Sequence, residues 1–163
     1  MPDWLRQLER INSEGVAESF PDEKDRLAAL RLGEAVHREL RPQIGADYDR
    51  ELENILREGV WLTQLVDGGQ VHAVALWRVF RTTYCGRRLE IDDLVTAAGC
   101  RSQGHGATML RWLEERARDF GCPTVTLNSA IHRSDAHRFY ERESFGKIAY
   151  HFSKSVSPLS ELG

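Results

Sequence analysis

The chain has 163 residues, of which 41% are apolar and 29% charged, and a formal net charge of −3; that fits one globular domain, residues 1–163, with a real core. No long run of lysine or arginine points to a nucleic-acid partner, and three cysteines without a C-x-x-C pair argue against a disulfide framework or a metal site and fit a reducing compartment. The first ten residues are charged throughout, and the longest apolar stretch, residues 71–77, is strand-sized and interrupted by His72, so neither a signal peptide nor a membrane span is expected and the protein reads as cytoplasmic.

In chain order, the first residues, up to about residue 20, carry no clear period. Residues 22–40 place Ala28, Leu32, Ala35, Val36 and Leu40 at helical spacing, and Pro42 forces Arg41 out of helical geometry. Tyr48, Leu52, Ile55 and Leu56 form a second amphipathic stripe, with Gly59 where a C-terminal cap belongs. The period then changes. Residues 61–66 and 71–80 are rich in β-branched and aromatic side chains, with Asp67-Gly68-Gly69 as a hairpin turn between them. A turn at Cys85-Gly86 leads to a third strand, residues 88–96. A glycine-containing loop and a helix follow, with Leu110, Leu113, Ala117 and Phe120 as the buried stripe and Gly121 and Pro123 closing it. Residues 124–128 read as a strand, Ser134 as the N-cap of a helix reaching Glu143, and residues 147–152 as a final strand. This order predicts an α/β (α+β) fold, a mixed and mostly antiparallel sheet with helices on both faces.

The loop Arg101-Ser102-Gln103-Gly104-His105-Gly106 lies between a buried strand and a helix start. There the first helical N–H groups lack partners and the helix dipole is positive, which suits a diphosphate. Gly104 and Gly106 let the backbone approach an anion, and Arg101 and His105 add positive charge. The sequence has no G-K-[ST] and no G-x-G-x-x-G, so a P-loop NTPase and a dinucleotide fold are disfavoured.

The run Leu94-Val95-Thr96, a short spacer and R-S-Q-G-H-G resembles motif A of the GNAT superfamily of acyl-CoA N-acyltransferases. Downstream, Ala136-His137-Arg138-Phe139-Tyr140, then Ser144-Phe145, resembles the family's motif B. The resemblance implies a sheet whose fourth and fifth strands splay apart for the pantetheine arm of acetyl-CoA. The backbone of Leu94, Val95 and Thr96 is then expected to bond the arm like an added strand, and the loop from Arg101 to Gly106, with the amides of Ser102, Gln103, Gly104, His105 and Gly106, to cradle the pyrophosphate. Tyr140 is expected near the thioester sulfur. Three residues depart from the pattern: Ala98 where many members have proline, Arg133 where many have an asparagine touching the cofactor arm, and Ser144 in place of the glycine before Phe145.

Acetyl transfer to an amine needs a neutral nucleophile, a stabilised oxyanion and a protonated leaving thiolate. Tyr140 is the expected proton donor to the thiolate. Base candidates lie on the strand of residues 88–96, where plain alternation puts Glu90, Asp92 and Leu94 on one face and Asp93 and Val95 on the other. If Leu94 faces the cofactor, Asp92 is the favoured base; a bulge brings in Asp93 instead. Glu90, Asp92 and Asp93 equally fit simple pairing with Arg87 and Arg88. His132, His137 and His151 are secondary candidates, and Asp47, Asp49 and Glu51 suit either attraction of a cationic amine or a solvated helix end. The expected function is acetyl transfer from acetyl-CoA to the primary amine of a small molecule, amino acid or protein. The alternative is a GNAT-fold module that binds acyl-CoA without turnover. The acceptor is not legible, nor is the oligomeric state, a homodimer included.

Overall fold

The computed structural model describes residues 3–156. Two compact units divide the chain, Met1–Leu127 and Asn128–Gly163.

The first unit is a six-stranded sheet with helices on both faces. A 3-10 turn, Asp3–Gln7, leads to strand β1 (Leu8–Ile11), and the short β2 (Ala17–Glu18) follows. Helices α1 (Glu23–Leu32), α2 (Glu34–Leu40) and α3 (Tyr48–Arg57) precede the meander β3 (Trp61–Asp67), β4 (Gln70–Thr82) and β5 (Gly86–Thr96). Helix α4 (His105–Asp119) and β6 (Thr124–Leu127) complete the unit. The strand order is β2-β1-β3-β4-β5-β6, with β1–β3 and β5–β6 parallel and the other pairs antiparallel. Gly68 and Gly69 alone join β3 to β4, both at positive φ, as the sequence implies for a tight hairpin.

Sidedness follows from β4, whose side chains alternate. Val74 and Leu76 join Leu30, Leu52, Leu56 and Val95 in the core beneath α1–α3. Trp77 points the other way and stacks on Trp61 at 5.4 Å, with Phe120, just past α4, edge-on to both rings. Its indole N–H donates to Thr63 Oγ1 at 3.0 Å, so a buried donor is satisfied.

The early helix is two helices rather than one over residues 22–40. Asp22 caps α1 by accepting the Asp25 N–H at 2.8 Å, but the run breaks at Gly33. Any β-carbon there would run into the amide of Gln64, which reaches from β3 to donate to Ala29 O at 2.8 Å. The period-free N-terminus proves to hold a 3-10 turn and two short strands, too brief to show a repeat.

In the second unit, α5 spans Ser134–Arg142, with Arg133 rather than Ser134 at its N-cap. The helix ends in a reciprocal pair of bonds, Phe145 N–H to Tyr140 O at 2.9 Å and Ser144 N–H to Glu141 O at 3.1 Å. Such a termination needs a left-handed residue, and Ser144 supplies it at φ 69°. Ser144 therefore adopts the backbone that glycine takes most easily. The expected last strand, residues 147–152, is absent from the sheet ladders of the described residues. Ile148, Tyr150 and Phe152 alternate as a strand face would, yet each is more than 80% exposed. Alternation makes a strand only where a neighbouring strand takes up its hydrogen bonds. No helix among the described residues is long and apolar enough to cross a membrane.

Candidate functional site

Strand β5 is paired with β4 along its whole length, but β6 accompanies it only from Arg88↔Thr124 to Ile91↔Leu127. Past Ile91, no strand among the described residues pairs with that edge of β5. Leu94, Val95 and Thr96 thus present main-chain groups on an open edge, the arrangement an extended ligand can join as an extra strand.

The open edge runs into the loop. A 3-10 turn over Ala98–Cys100 follows β5, and α4 begins at His105. Gly104, the N-cap, sits at φ 87°, and no side chain caps the helix start. The first amides of α4, those of His105, Gly106 and Ala107, have no intrahelical acceptor by geometry. A β-carbon on Gly104 would meet nothing within 4 Å, so the space in front of these amides is open. Ser102, at φ 62°, is a second left-handed residue two positions earlier, and the Gln103 side chain donates from Nε2 to Gly99 O at 3.4 Å. Gly106 lies within the helix; only Gly104 of the two glycines takes positive φ. Residues 94–96 and 101–106 are brought together as one continuous surface of edge, turn and helix start.

His105 departs from expectation. Rather than adding positive charge, its ring is buried against His72, with Nε2 of His105 3.1 Å from Nδ1 of His72 and the rings edge-on at 4.7 Å. Burial lowers the His105 pKa, the neighbouring His72 lowers it further, and Asp67 only partly opposes them. His72 reaches this position because it is the extra residue in β4 where the register with β3 shifts between Leu65 and Val66.

The acids lie at a second bulge. Trp77 faces Ile91 and Leu76 faces Asp93, leaving Asp92 as the extra residue. Plain alternation therefore fails here. Asp93 opposes Leu76, Glu90 opposes Arg78, and Asp92 reaches Arg78, which donates from Nε at 2.7 Å and Nη2 at 2.6 Å. Leu76 and Arg78 share a face of β4, so Asp92 and Asp93 address the same side of the sheet, while Leu94 opposes Ala75 on the other. Burial raises the Asp92 pKa above the usual carboxylate range, although Arg78 counters it.

Asp93 is held differently. His37 Nε2 lies 2.8 Å from Oδ2, and Arg41 donates from Nε to Oδ1 at 2.7 Å. Burial alone would raise the Asp93 pKa, but these two hydrogen bonds and their charge outweigh it and hold the carboxyl below its ordinary range. Behind His37, Nδ1 is 3.1 Å from the Tyr48 hydroxyl. Burial first, then the nearby Glu34, pushes the Tyr48 phenol pKa upward, so it stays protonated.

Tyr140 belongs to the second unit. Its ring is edge-on to Phe145 at 5.7 Å and tilted against Phe139 at 5.3 Å. His137 donates from Nε2 to Ala130 O at 3.0 Å, a bond that braces the segment before α5. Sequence reasoning missed His37, Arg41, Tyr48 and Glu39. The signal available was slight: His37 and Arg41 lie four residues apart just before Pro42, a spacing that puts both on one helical face.

Fold and site together define an α/β protein with an open strand edge leading into an uncapped helix start, suited to a ligand with an extended arm and an anionic group. The chain belongs to the Acetyltransferase (GNAT) family, whose profile matches residues 26–146, and it is an acyltransferase of that type. It is 37% identical over 123 residues to the uncharacterized N-acetyltransferase YhdJ of Bacillus subtilis (strain 168), covering 72% of this chain and 85% of that protein. Over 92 residues it is 35% identical to the aminoalkylphosphonate N-acetyltransferase of Salmonella typhimurium (strain LT2), covering 56% of this chain and 60% of the relative. Among solved structures, the aminoglycoside N-acetyltransferase AAC(6')-Iy in complex with CoA shares the fold, with a TM-score of 0.71, 12% identity, and coverage of 80% of this chain and 90% of the other.

Proposed function

We propose that the chain transfers an acetyl group from acetyl-CoA to the primary amine of a small molecule, amino acid or protein, by direct attack, with residues 1–163 working as one catalytic domain. The observation that carries this reading is the open edge of β5 running into the uncapped start of α4. On that surface Leu94, Val95 and Thr96 bond the pantetheine arm, and the amides of residues 102–106 take the pyrophosphate with Arg101 beside them. When bound, acetyl-CoA supplies the activated thioester carbonyl.

The two acids divide the remaining work. Asp92, whose proton affinity burial raises, receives the amine proton directly or through water. Asp93, kept ionised by His37 and Arg41, orients the ammonium form of the acceptor. Tyr140 donates a hydrogen bond and then the proton to the departing thiolate. The curated relative that acetylates aminoalkylphosphonates supports including amines with an anionic tail among the acceptors. The reading gives the protein no nucleic-acid or membrane partner and a cytoplasmic site of action; it is neutral on a homodimer.

The test is thermal unfolding with and without saturating acetyl-CoA, with ADP and free CoA as controls, followed by thiol release across an amine panel. A cosubstrate-specific shift and amine-dependent thiol release are expected. An equal shift with any phosphate compound sinks the reading, and binding without thiol release moves the protein to the non-catalytic acyl-CoA-binding alternative. Tyr140→Phe is expected to lower kcat about a hundredfold while leaving acetyl-CoA affinity unchanged. Unchanged turnover removes Tyr140 from the mechanism.

A further inference from the structure

We propose that Glu39 is the positioning residue of the cosubstrate loop, a resident anion that shapes the loop before binding and releases Arg101 to the incoming diphosphate. The inference rests on reading residues 101–106 as the diphosphate site. An acid beside an anion-binding loop opposes its ligand by charge, so its contacts must explain its presence.

Glu39 stands in the last turn of α2, and its Oε2 accepts the Ala98 N–H at 2.8 Å. Ala98 opens the 3-10 turn that follows β5, and the N-cap of that turn, Ala97, offers no side-chain acceptor. Glu39 therefore caps the turn from another element. The same Oε2 lies 3.7 Å from Nη2 of Arg101, the residue that ends the turn. One carboxylate thus touches both ends of Ala98–Cys100, and Arg101 also reaches back to Thr96 O at 3.5 Å.

Helix α2 is fixed to β5 independently, because His37 and Arg41 grip Asp93. The last turn of α2 accordingly holds the strand–loop segment at Asp93 and again at Ala98. The two contacts of Glu39 differ in strength. The bond to the Ala98 amide is short, whereas the Arg101 pair is long, with the arginine side chain 63% exposed. Exposed pairs of this kind exchange at little cost, and a diphosphate is the stronger partner for a guanidinium.

Glu39→Gln and Glu39→Ala separate the two functions when acetyl-CoA and CoA affinities are measured by titration calorimetry. E39Q keeps an acceptor for Ala98 and loses the charge, so binding is expected to tighten about two- to fivefold and to approach wild type at high salt. E39A loses both, and its affinity is expected to fall below wild type. In an Arg101→Ala background, E39Q should give no gain. Wild-type affinity in both Glu39 variants, equal tightening in both, or an undiminished E39Q gain without Arg101 each overturns the proposal. Failure of the wild-type protein to bind CoA overturns the loop assignment itself, a distinguishable result.

Discussion

Replacing Gly104 separates backbone strain from access to the anion site. Gly104 sits at φ 87°, where an L-residue costs about 1–2 kcal/mol. The added β-carbon would meet no atom within 4 Å, so the backbone is the whole cost to the fold of Gly104→Ala. For a domain of this size that corresponds to a fall in Tm of about 2–8 °C. On the proposed function, the open space is also where the diphosphate approaches the first amides of α4. A methyl group there is expected to weaken acetyl-CoA binding by about tenfold or more, roughly 1.4 kcal/mol. Gly104→Asn is the control, because asparagine tolerates the left-handed region and restores much of the fold's stability while still filling the space. The assay is thermal unfolding with and without acetyl-CoA; at about 100 times the dissociation constant the wild-type gain is about 2.7 kcal/mol. A wild-type ligand-induced shift in either variant would show that the anion does not approach over Gly104.

Three further outcomes follow from the side-chain contacts. Asp93 has a depressed folded pKa, so its stabilising effect is present above the ordinary carboxylate range and is lost as pH falls through the folded value. His37→Leu leaves the Tyr48 hydroxyl and one Asp93 oxygen without their partner, costing about 2–4 kcal/mol, and should flatten the acid side of the stability profile; chemical denaturation across acid pH reads this, and an unchanged profile refutes it. His105 is buried with a lowered pKa, so its contribution is present above the ordinary imidazole range and is lost as pH falls; His105→Asn should remove that loss, and an identical pH dependence of Tm refutes it. Ser144→Gly relieves a left-handed serine at the end of α5 and should stabilise by about 0.5–1 kcal/mol, read as a higher Tm; destabilisation would contradict the assigned strain.

The elements that sequence reasoning located are those set by local period and local turns. The hairpin at Gly68-Gly69, the stripe of α4 and the helix end before Pro42 each depend on residues within a few positions. What it missed depends on pairing across the chain. The need for glycine at position 33 is set by Gln64 in β3, and the lowered pKa of His105 by its burial and by His72 in β4. His37 and Asp93 meet across 56 residues, with no periodicity linking them. Residues 147–152 show the reverse failure, a clean strand pattern without a paired strand among the described residues. The loop at residues 101–106 was legible because its glycines and its place at a strand–helix junction are both local facts.

The bulge at Asp92 explains why a strand with three nearby acids suits this site. Without the extra residue, Asp92 and Leu94 would share a face, and Asp93 would be the only one of the two bulge acids on the α2 side. With it, Asp92 and Asp93 both address that side, one held by Arg78 and the other by His37 and Arg41, while Leu94 turns to the face of Trp77. Two adjacent carboxylates on one face would repel if their surroundings were alike. Their different partners instead drive the two pKa values apart: at Asp92 burial outweighs Arg78, and at Asp93 the bonds from His37 and Arg41 outweigh burial. On the proposed function, a pair split in this way holds one group ready to accept a proton and another fixed as an anion, beside the stretch of β5 past Ile91 that β6 leaves open. The same inserted residue thus accounts for the placement of both acids on one side, where different partners give them unequal proton affinities.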